Sequence, residues 1–371
     1  ADLLMGYGRE GSHLSYRTLS PKTFTGEFVS YRHFRTVMDA LQTLGYVVIE
    51  AKGFFTRAQI SQGRATRYRP SPSLLELATD FNICPSNIQH HFMTKLPREP
   101  LVLHAPKKRL AWGKVSSRER SFKEQGIEFT PTDQTKRLKD ELLELNEFFS
   151  NFELKGGIHR GYRRIFNLGT KEDYNWDKGG RLYSVDDNNY QLLSEEKRSL
   201  MMINNEPIIE IDIKASYLTI LYAQNGLEID LKDDPYNVEG LERSIVKQWI
   251  IMTIGNDKLH RAWPKRVKDK FFSDNAKHLQ DVYPIGKVRD AILKKHPLLK
   301  HWGDSSLSVF DLMYLESEAI FQTMLILKRD LGIPSLSVHD SLIVRQTDGN
   351  RAKDILSLQF RKYCGVIPEF G

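Results

Sequence analysis

The sequence predicts an α+β protein. Three observations carry that expectation. An amphipathic helix is followed by a basic hairpin in the first quarter. A charged helix stands by itself near residue 140. From about residue 155 onward, short strands alternate with helices. The 371 residues are enough for two or three domains, and apolar and charged fractions of 40% and 27% are those of ordinary globular proteins.

Bulk composition excludes several classes. No apolar run approaches the roughly 18 residues needed to span a bilayer. The opening ADLLMGYGREGSH lacks the basic, apolar and small-residue order of a secretory signal. Cys84 and Cys364 are the only cysteines, and without a Cys-x-x-Cys pair they predict neither a disulfide framework nor a cysteine zinc site. A reduced, cytoplasmic setting is expected.

Net charge is +7, and its distribution is more informative than its size. Three segments interleave Lys and Arg with aromatics: PKKRLAWGKVSSRERSFK (106–123), GGIHRGYRRIFN (156–167) and RAWPKRVKDKFF (261–272). Such segments suit phosphate contacts beside base stacking. Each has a plainer reading as a solvated face with buried aromatic anchors. Three in one chain favour a polyanionic partner.

Taken in order, YRHFRTVMDALQTLGYVV places Phe34, Val37, Met38, Leu41 and Leu44 on one helical face, with Gly45 at the C-cap. The next residues give two strand-like runs around a turn, rich in arginine: Arg57, Arg64, Arg67 and Arg69. Helix, strand and basic hairpin resemble the last part of a winged-helix domain, so residues 1–95 are read as a winged-helix-like nucleic-acid-binding domain. Residues 96–132 read as a basic linker. The helix TDQTKRLKDELLELNEFF follows, capped by Thr135 or Asp133, with Leu138, Leu142, Leu145 and Phe149 as its apolar stripe.

The stretch SVHDSLIV (337–344) is an alternating strand interrupted by His339, Asp340 and Ser341. A carboxylate at such a point needs a partner, a cation or water. PIIEIDIKASYLTILYA (207–223) offers a second one: Asp212 ends an alternating strand just before a helix that stops near Gly226. Two aspartates on adjacent strand ends can hold two divalent cations for in-line attack on phosphorus. Between them, in ERSIVKQWIIMTIGND (242–257), Arg243 and Lys247 are four apart on one helical face, and Val246, Ile250 and Ile254 occupy the other. Arg can clamp an oxygen pair of a triphosphate; Lys offers a point charge and a proton. Ser341 is read as satisfying its own turn.

This order, strand-Asp-helix, then Arg-x-x-x-Lys helix, then His-Asp hairpin, resembles motifs A, B and C of family A DNA polymerases and the bacteriophage-type single-subunit RNA polymerases. DKGGRLY (177–183) is similar to the Asp-x-x-Gly-Arg pattern of the latter. VHDS is also nearer the RNA polymerase form, because family A DNA polymerases usually carry Glu after that Asp. The resemblance covers about 155–345. Motif B normally ends in Tyr-Gly, whereas TIGND has Gly255 one position early and no tyrosine, so the base-pair-checking role of that tyrosine has no assigned residue here.

The resemblance implies a right-hand polymerase: a thumb-like segment at 133–155, palm at 156–223 and 306–371, and fingers at 224–305. It implies Asp212 and Asp340 as ligands of two Mg²⁺ ions, with Mn²⁺ as an alternative, and Arg243 and Lys247 on the triphosphate. Arg181 would lie near the template or product strand, and His339 beside the primer terminus or orienting the turn. Arg64 and Arg67 of the N-terminal hairpin would reach phosphates. The fifth residue after the first metal aspartate lies near the nucleotide sugar in these enzymes; here it is Tyr217, whose bulk favours deoxyribonucleotides. The implied partners are a DNA or RNA template, a primer or product strand and nucleoside triphosphates, in a bacterial, phage or plasmid context. The expected activity is template-directed nucleotidyl transfer with a slight lean to DNA synthesis. The competing readings are an RNA polymerase or primase, a non-enzymatic replication initiator, and a metal-dependent nuclease.

Overall fold

The computed structural model describes residues 2–8, 13–17, 19, 24, 29–56, 62–84, 87–92, 99–106, 126–185, 189–256 and 259–371. The chain divides into two units, one made of residues 1–95 and 110–125, the other of 96–109 and 126–371.

In the first unit, α1 (Asp2–Tyr7) and β1 (Ser15–Arg17) precede α2 (Tyr31–Thr43). The Ser30 hydroxyl accepts the His33 amide at 3.3 Å and starts α2. Gly45, at φ 74°, ends it in a conformation that other residues adopt only with strain. Strands β2 (Val47–Ala51), β3 (Phe54–Thr56), β4 (Gln62–Arg64) and β5 (Thr66–Pro70) follow, then α3 (Pro72–Asp80) and α4 (Ile88–His91). The sheet has the order β1-β5-β2, all antiparallel, and β3 and β4 form a separate hairpin between β2 and β5. Met38, Val47 and Tyr68 make the local core, with Phe34 and Leu41 against it. Val37 and Leu44, expected on the same apolar face, are instead 54% and 65% exposed. The buried stripe of α2 is narrower than the sequence suggests, because a single thin sheet covers it.

Arg64 lies over the Phe54 ring at 5.5 Å and Arg67 over Tyr16 at 5.5 Å, while Arg69 pairs with Glu50 at 2.9 Å. Arg57 lies outside the described residues.

The second unit carries two sheets. The first has the order β6 (Leu101–Leu103), β8 (Tyr162–Phe166), β9 (Gly179–Ser184), with β6 parallel to β8 and β9 antiparallel to it. The stretch read as a basic linker thus supplies a strand. The second sheet is wholly antiparallel, in the order β12 (Leu336–Val338), β13 (Ser341–Arg345), β11 (Glu206–Asp212), β10 (Met202–Ile203), β7 (Leu154–Lys155).

The helices are α5 (Asp133–Phe149), α6 (Glu195–Arg198), α7 (Ser216–Gln224), α8 (Arg243–Ile254), α9 (Lys265–Asn275), α10 (Leu279–Val282), α11 (Ile285–Lys295), α12 (Val309–Leu331) and α13 (Gly349–Cys364). The 23-residue α12 packs against β9, α13, α7 and α5 and forms the spine of the core. Helix α5 is capped by Thr132, not by Thr135 or Asp133. The Thr132 hydroxyl accepts the Thr135 amide at 3.2 Å, and the Thr135 hydroxyl oxygen accepts the Thr132 amide at 2.8 Å. Threonine at the third helical position can close this reciprocal pair, a variant of the Ser/Thr-x-x-Glu/Gln box.

Alternate residues of β8 in the segment 156–167 belong to the core, whereas its other two arginines, Arg160 and Arg163, are half-buried. Tyr162, Arg164 and Phe166 are fully buried. Arg164 donates to Glu318 at 2.5 Å and to the Gly180 carbonyl at 2.8 Å. A buried guanidinium survives only with such a partner. Of the segment 106–123, only residue 106 is described.

Candidate active site

Alternation in β11 points Ile209 and Ile211 to one face and Glu210 and Asp212 to the other. The strand pairs with β13 so that Asp212 faces Ser341, and β12 and β13 join through a two-residue turn, His339 and Asp340. Asp212 and Asp340 therefore stand at the same end of neighbouring strands, and the Ile213 amide donates to the Asp340 carbonyl at 3.3 Å. His339 supplies the left-handed residue of the turn, at φ 53°.

Burial first, then the like charges of Asp340 and Glu210, push the Asp212 carboxyl up to about 7, with Lys247 pulling the other way. The residue still keeps an open face to solvent, so the repulsive part is one that a bound cation would relieve. Glu210 is held by Arg198 in a two-point pairing at 2.8 and 2.9 Å. The Ser341 hydroxyl lies 2.6 Å from Glu210 and 3.0 Å from the Val338 carbonyl, which ties the turn to β11.

Arg243 and Lys247 are both exposed on α8, whose other face buries Val246, Ile250 and Ile254. Both cations lie over the ring of Tyr236, at 5.2 and 5.8 Å. Burial pushes the Tyr236 hydroxyl up to about 12, and Asp340 and Asp212 add to the effect. Tyr236 therefore contacts both α8 cations and feels the charge of both aspartates. Arg243 is not free, because it is ion-paired with Asp234.

Arg181 leaves β9 after Gly179 and Gly180, at φ 82° and 79°. A side chain at Gly179 would place Cβ 2.3 Å from the Asn167 amide oxygen, so the turn into β9 requires glycine. Arg181 is ion-paired with Glu316 of α12 and lies over the Tyr217 ring at 5.4 Å. Burial opposes the Arg181 charge, but Glu316 more than restores it. The Ser216 hydroxyl donates to the second Glu316 oxygen at 2.7 Å. Burial, ahead of the Glu316 charge, raises the Tyr217 hydroxyl above its ordinary range. Burial, ahead of Arg181, lowers the His339 imidazole.

The structure therefore brings Asp212, Asp340, His339, Lys247, Tyr217 and Arg181 into one electrostatic neighbourhood. Arg64 and Arg67 belong to the other unit. Sequence reasoning missed Tyr236, Glu316 and the segment 369–371, whose Gly371 amide donates to the Asp212 carbonyl at 2.9 Å. Glu316 had a signal: it sits on the apolar stripe of Leu312, Ala319 and Ile320, where a carboxylate needs a reason. Tyr236 had none, being in an aperiodic loop.

Among the described residues, no group of three or more His, Cys, Asp or Glu side chains is arranged to hold a metal ion. Among the described residues, the strand ends bring together the carboxylates of Asp212 and Asp340.

No family model and no curated protein matches the chain. Among solved structures, a likeness is found to the POL domain of Pol1 from M. smegmatis, in complex with DNA primer-template and dNTP. The neighbour is a polymerase domain. The two share 13% identity with a TM-score of 0.34, over 52% of this chain and 44% of that one, so less than half of that chain is spanned. The likeness is weak. No described helix is long and apolar enough to cross a membrane.

Proposed function

We propose that the chain is a template-directed nucleotidyltransferase, adding nucleotides to a nucleic-acid 3′ end, with a lean to DNA synthesis. The observation that carries this reading is the register of Asp212 against Ser341, which sets two carboxylates at one strand end, with the Lys247 charge acting on Asp212. Burial raises the Asp212 carboxyl first and the Asp340 charge adds to it, and a bound cation would relieve the second contribution.

The donor set fits hard divalent cations: Asp212 and Asp340 would hold Mg²⁺, or Mn²⁺ in its place. Bound there, such ions would supply Lewis-acid charge beside the attacking and leaving oxygens. Lys247, an exposed amine whose charge reaches Asp212, would give a proton to the leaving oxygen. Arg243 would exchange Asp234 for triphosphate oxygens. Tyr217, braced by Arg181, would stand against the sugar and exclude a 2′-hydroxyl. His339 would face the primer terminus. On this reading the five-stranded sheet and α12 are the palm, α8 to α11 the fingers and α5 the thumb-like segment. The β1-β5-β2 sheet with its inserted hairpin would be winged-helix-like, with Arg64 and Arg67 on phosphates.

The test is primer extension, with and without primer, comparing the four dNTPs with the four NTPs in Mg²⁺. Incorporation that disappears in Asp212→Asn and Asp340→Asn supports the reading. Incorporation by neither class of nucleotide, with nucleic-acid binding indifferent to both substitutions, would favour a replication initiator. Preference for NTPs would turn the lean towards an RNA polymerase or primase.

A further inference from the structure

None of the residues of helix α9 is fully buried. Only Val267 and Phe271, one turn apart, pack against the core. Around them Arg261, Lys265, Arg266, Lys268, Lys270 and Lys277 are all exposed, against Asp269 and Asp274. Among the described residues none of these six cations makes an ion pair, whereas Lys295 and Arg329 elsewhere in the unit are engaged by carboxylates. Unpaired like charges on a helix repel one another, and an anion is what they lack.

A second, independent feature lies on the same helix. Phe272 is 49% exposed, and the His278 ring stacks on it at 5.0 Å and 25°. An aromatic side chain that is not buried contributes little to folding, but it offers a flat apolar face to another ring. With about 100° per residue, Lys265, Lys268 and Phe272 fall within about 60° of one another around α9, while Arg266 and Lys270 fall on the opposite flank of the buried pair. One side of the helix is therefore a strip of two ammonium groups and an exposed ring, with the Asp269 carboxylate at its edge.

We propose that this strip of α9 is a docking platform for single-stranded nucleic acid, with a base stacked at Phe272 and phosphates held by Lys265 and Lys268. The strand must be single because paired bases have their faces occupied by stacking, whereas an unpaired base can turn one to the ring. A protein partner would be drawn by the charge but would leave the requirement for an exposed flat ring without explanation. That the strand is a template rests on the polymerase reading above; the binding itself does not.

The experiment is fluorescence anisotropy of the full chain with a labelled oligothymidine and with a hairpin duplex, in EDTA and without nucleotide. Phe272→Ala should weaken oligothymidine binding by about five-fold or more, leave duplex binding unchanged and leave the salt dependence unchanged. Phe272→Trp should restore binding, since it keeps the stacking face. The double change Lys265→Ala with Lys268→Ala should lower the slope of log affinity against log salt by about 1.4, at about 0.7 for each phosphate contact to a single strand. Phe272 carries no core packing, so its replacement leaves the fold intact. Wild-type affinity in Phe272→Ala, or an equal loss on the duplex, would overturn the proposal. No step depends on catalysis, so absence of incorporation in the extension assay would leave this result standing.

Discussion

Glu316, 1% exposed in the middle of α12, is the ion-pair partner of Arg181 on β9, and the Ser216 hydroxyl donates to its other oxygen. A guanidinium keeps its proton at any working pH, so removing the carboxylate leaves an uncompensated, largely buried charge. Glu316→Ala should therefore destabilise the second unit by about 3–5 kcal/mol. The double change with Arg181→Ala should cost less than Glu316→Ala alone. Urea denaturation of the single and double variants measures the coupling.

Asp212 gives a pH signature. Its carboxyl is raised from 3.8 to about 7 in the folded chain, so the folded state binds the proton more tightly than the unfolded state. That contribution to stability is fully present below about pH 4 and is lost as pH rises through 7. In EDTA, the melting temperature of the native chain should fall over that window relative to Asp212→Asn. Mg²⁺ should recover it in the native chain and not in the variant. Parallel melting curves for the two proteins at every pH would remove the raised Asp212 carboxyl as the cause.

Lys247 and Arg243 share the Tyr236 ring but should separate kinetically. Lys247→Ala is expected to lower kcat by about 10²-fold or more, with Lys247→Arg intermediate, because a proton donor is lost while charge is kept. Arg243→Ala should act mainly on the nucleotide KM. Asp234→Asn releases Arg243 from its ion pair and should lower that KM. Steady-state nucleotide titrations of the four variants decide it.

Tyr217 has two neighbours that fix its ring, Arg181 over its face and the apolar core beneath it. Tyr217→Ala should raise ribonucleotide use relative to deoxyribonucleotide use by about 5- to 150-fold, the range for relieving a clash of 1–3 kcal/mol. Competition assays with paired dNTP and NTP give the ratio directly.

Local pattern in the sequence was enough for the elements that hold the site. Alternation in IIEIDI places Asp212 at a strand end, and the apolar stripe of Val246, Ile250 and Ile254 turns Arg243 and Lys247 outward. What could not be read depends on contacts far apart in the chain. Arg164 looks like one more cation in a basic segment until Glu318, on α12, is found against it. The Arg243 pairing with Asp234 comes from a loop without periodicity. Val37 shows the converse: its helical spacing is correct, but the thin β1-β5-β2 sheet has no surface to cover it.

The parallel pairing of β6 with β8 sets where the chain can be cut. Leu101 to Leu103 occupy the hydrogen-bonding row of β8 that would otherwise be bare, directly beside the buried Arg164. A fragment beginning at residue 126 keeps α5 and every later strand but strips that row. An uncovered strand edge is a template for pairing with another chain. Such a fragment should self-associate, whereas one beginning at residue 96 carries its own edge protection. Limited proteolysis that nicks between residues 106 and 126 should therefore leave a tightly held peptide, not a released one.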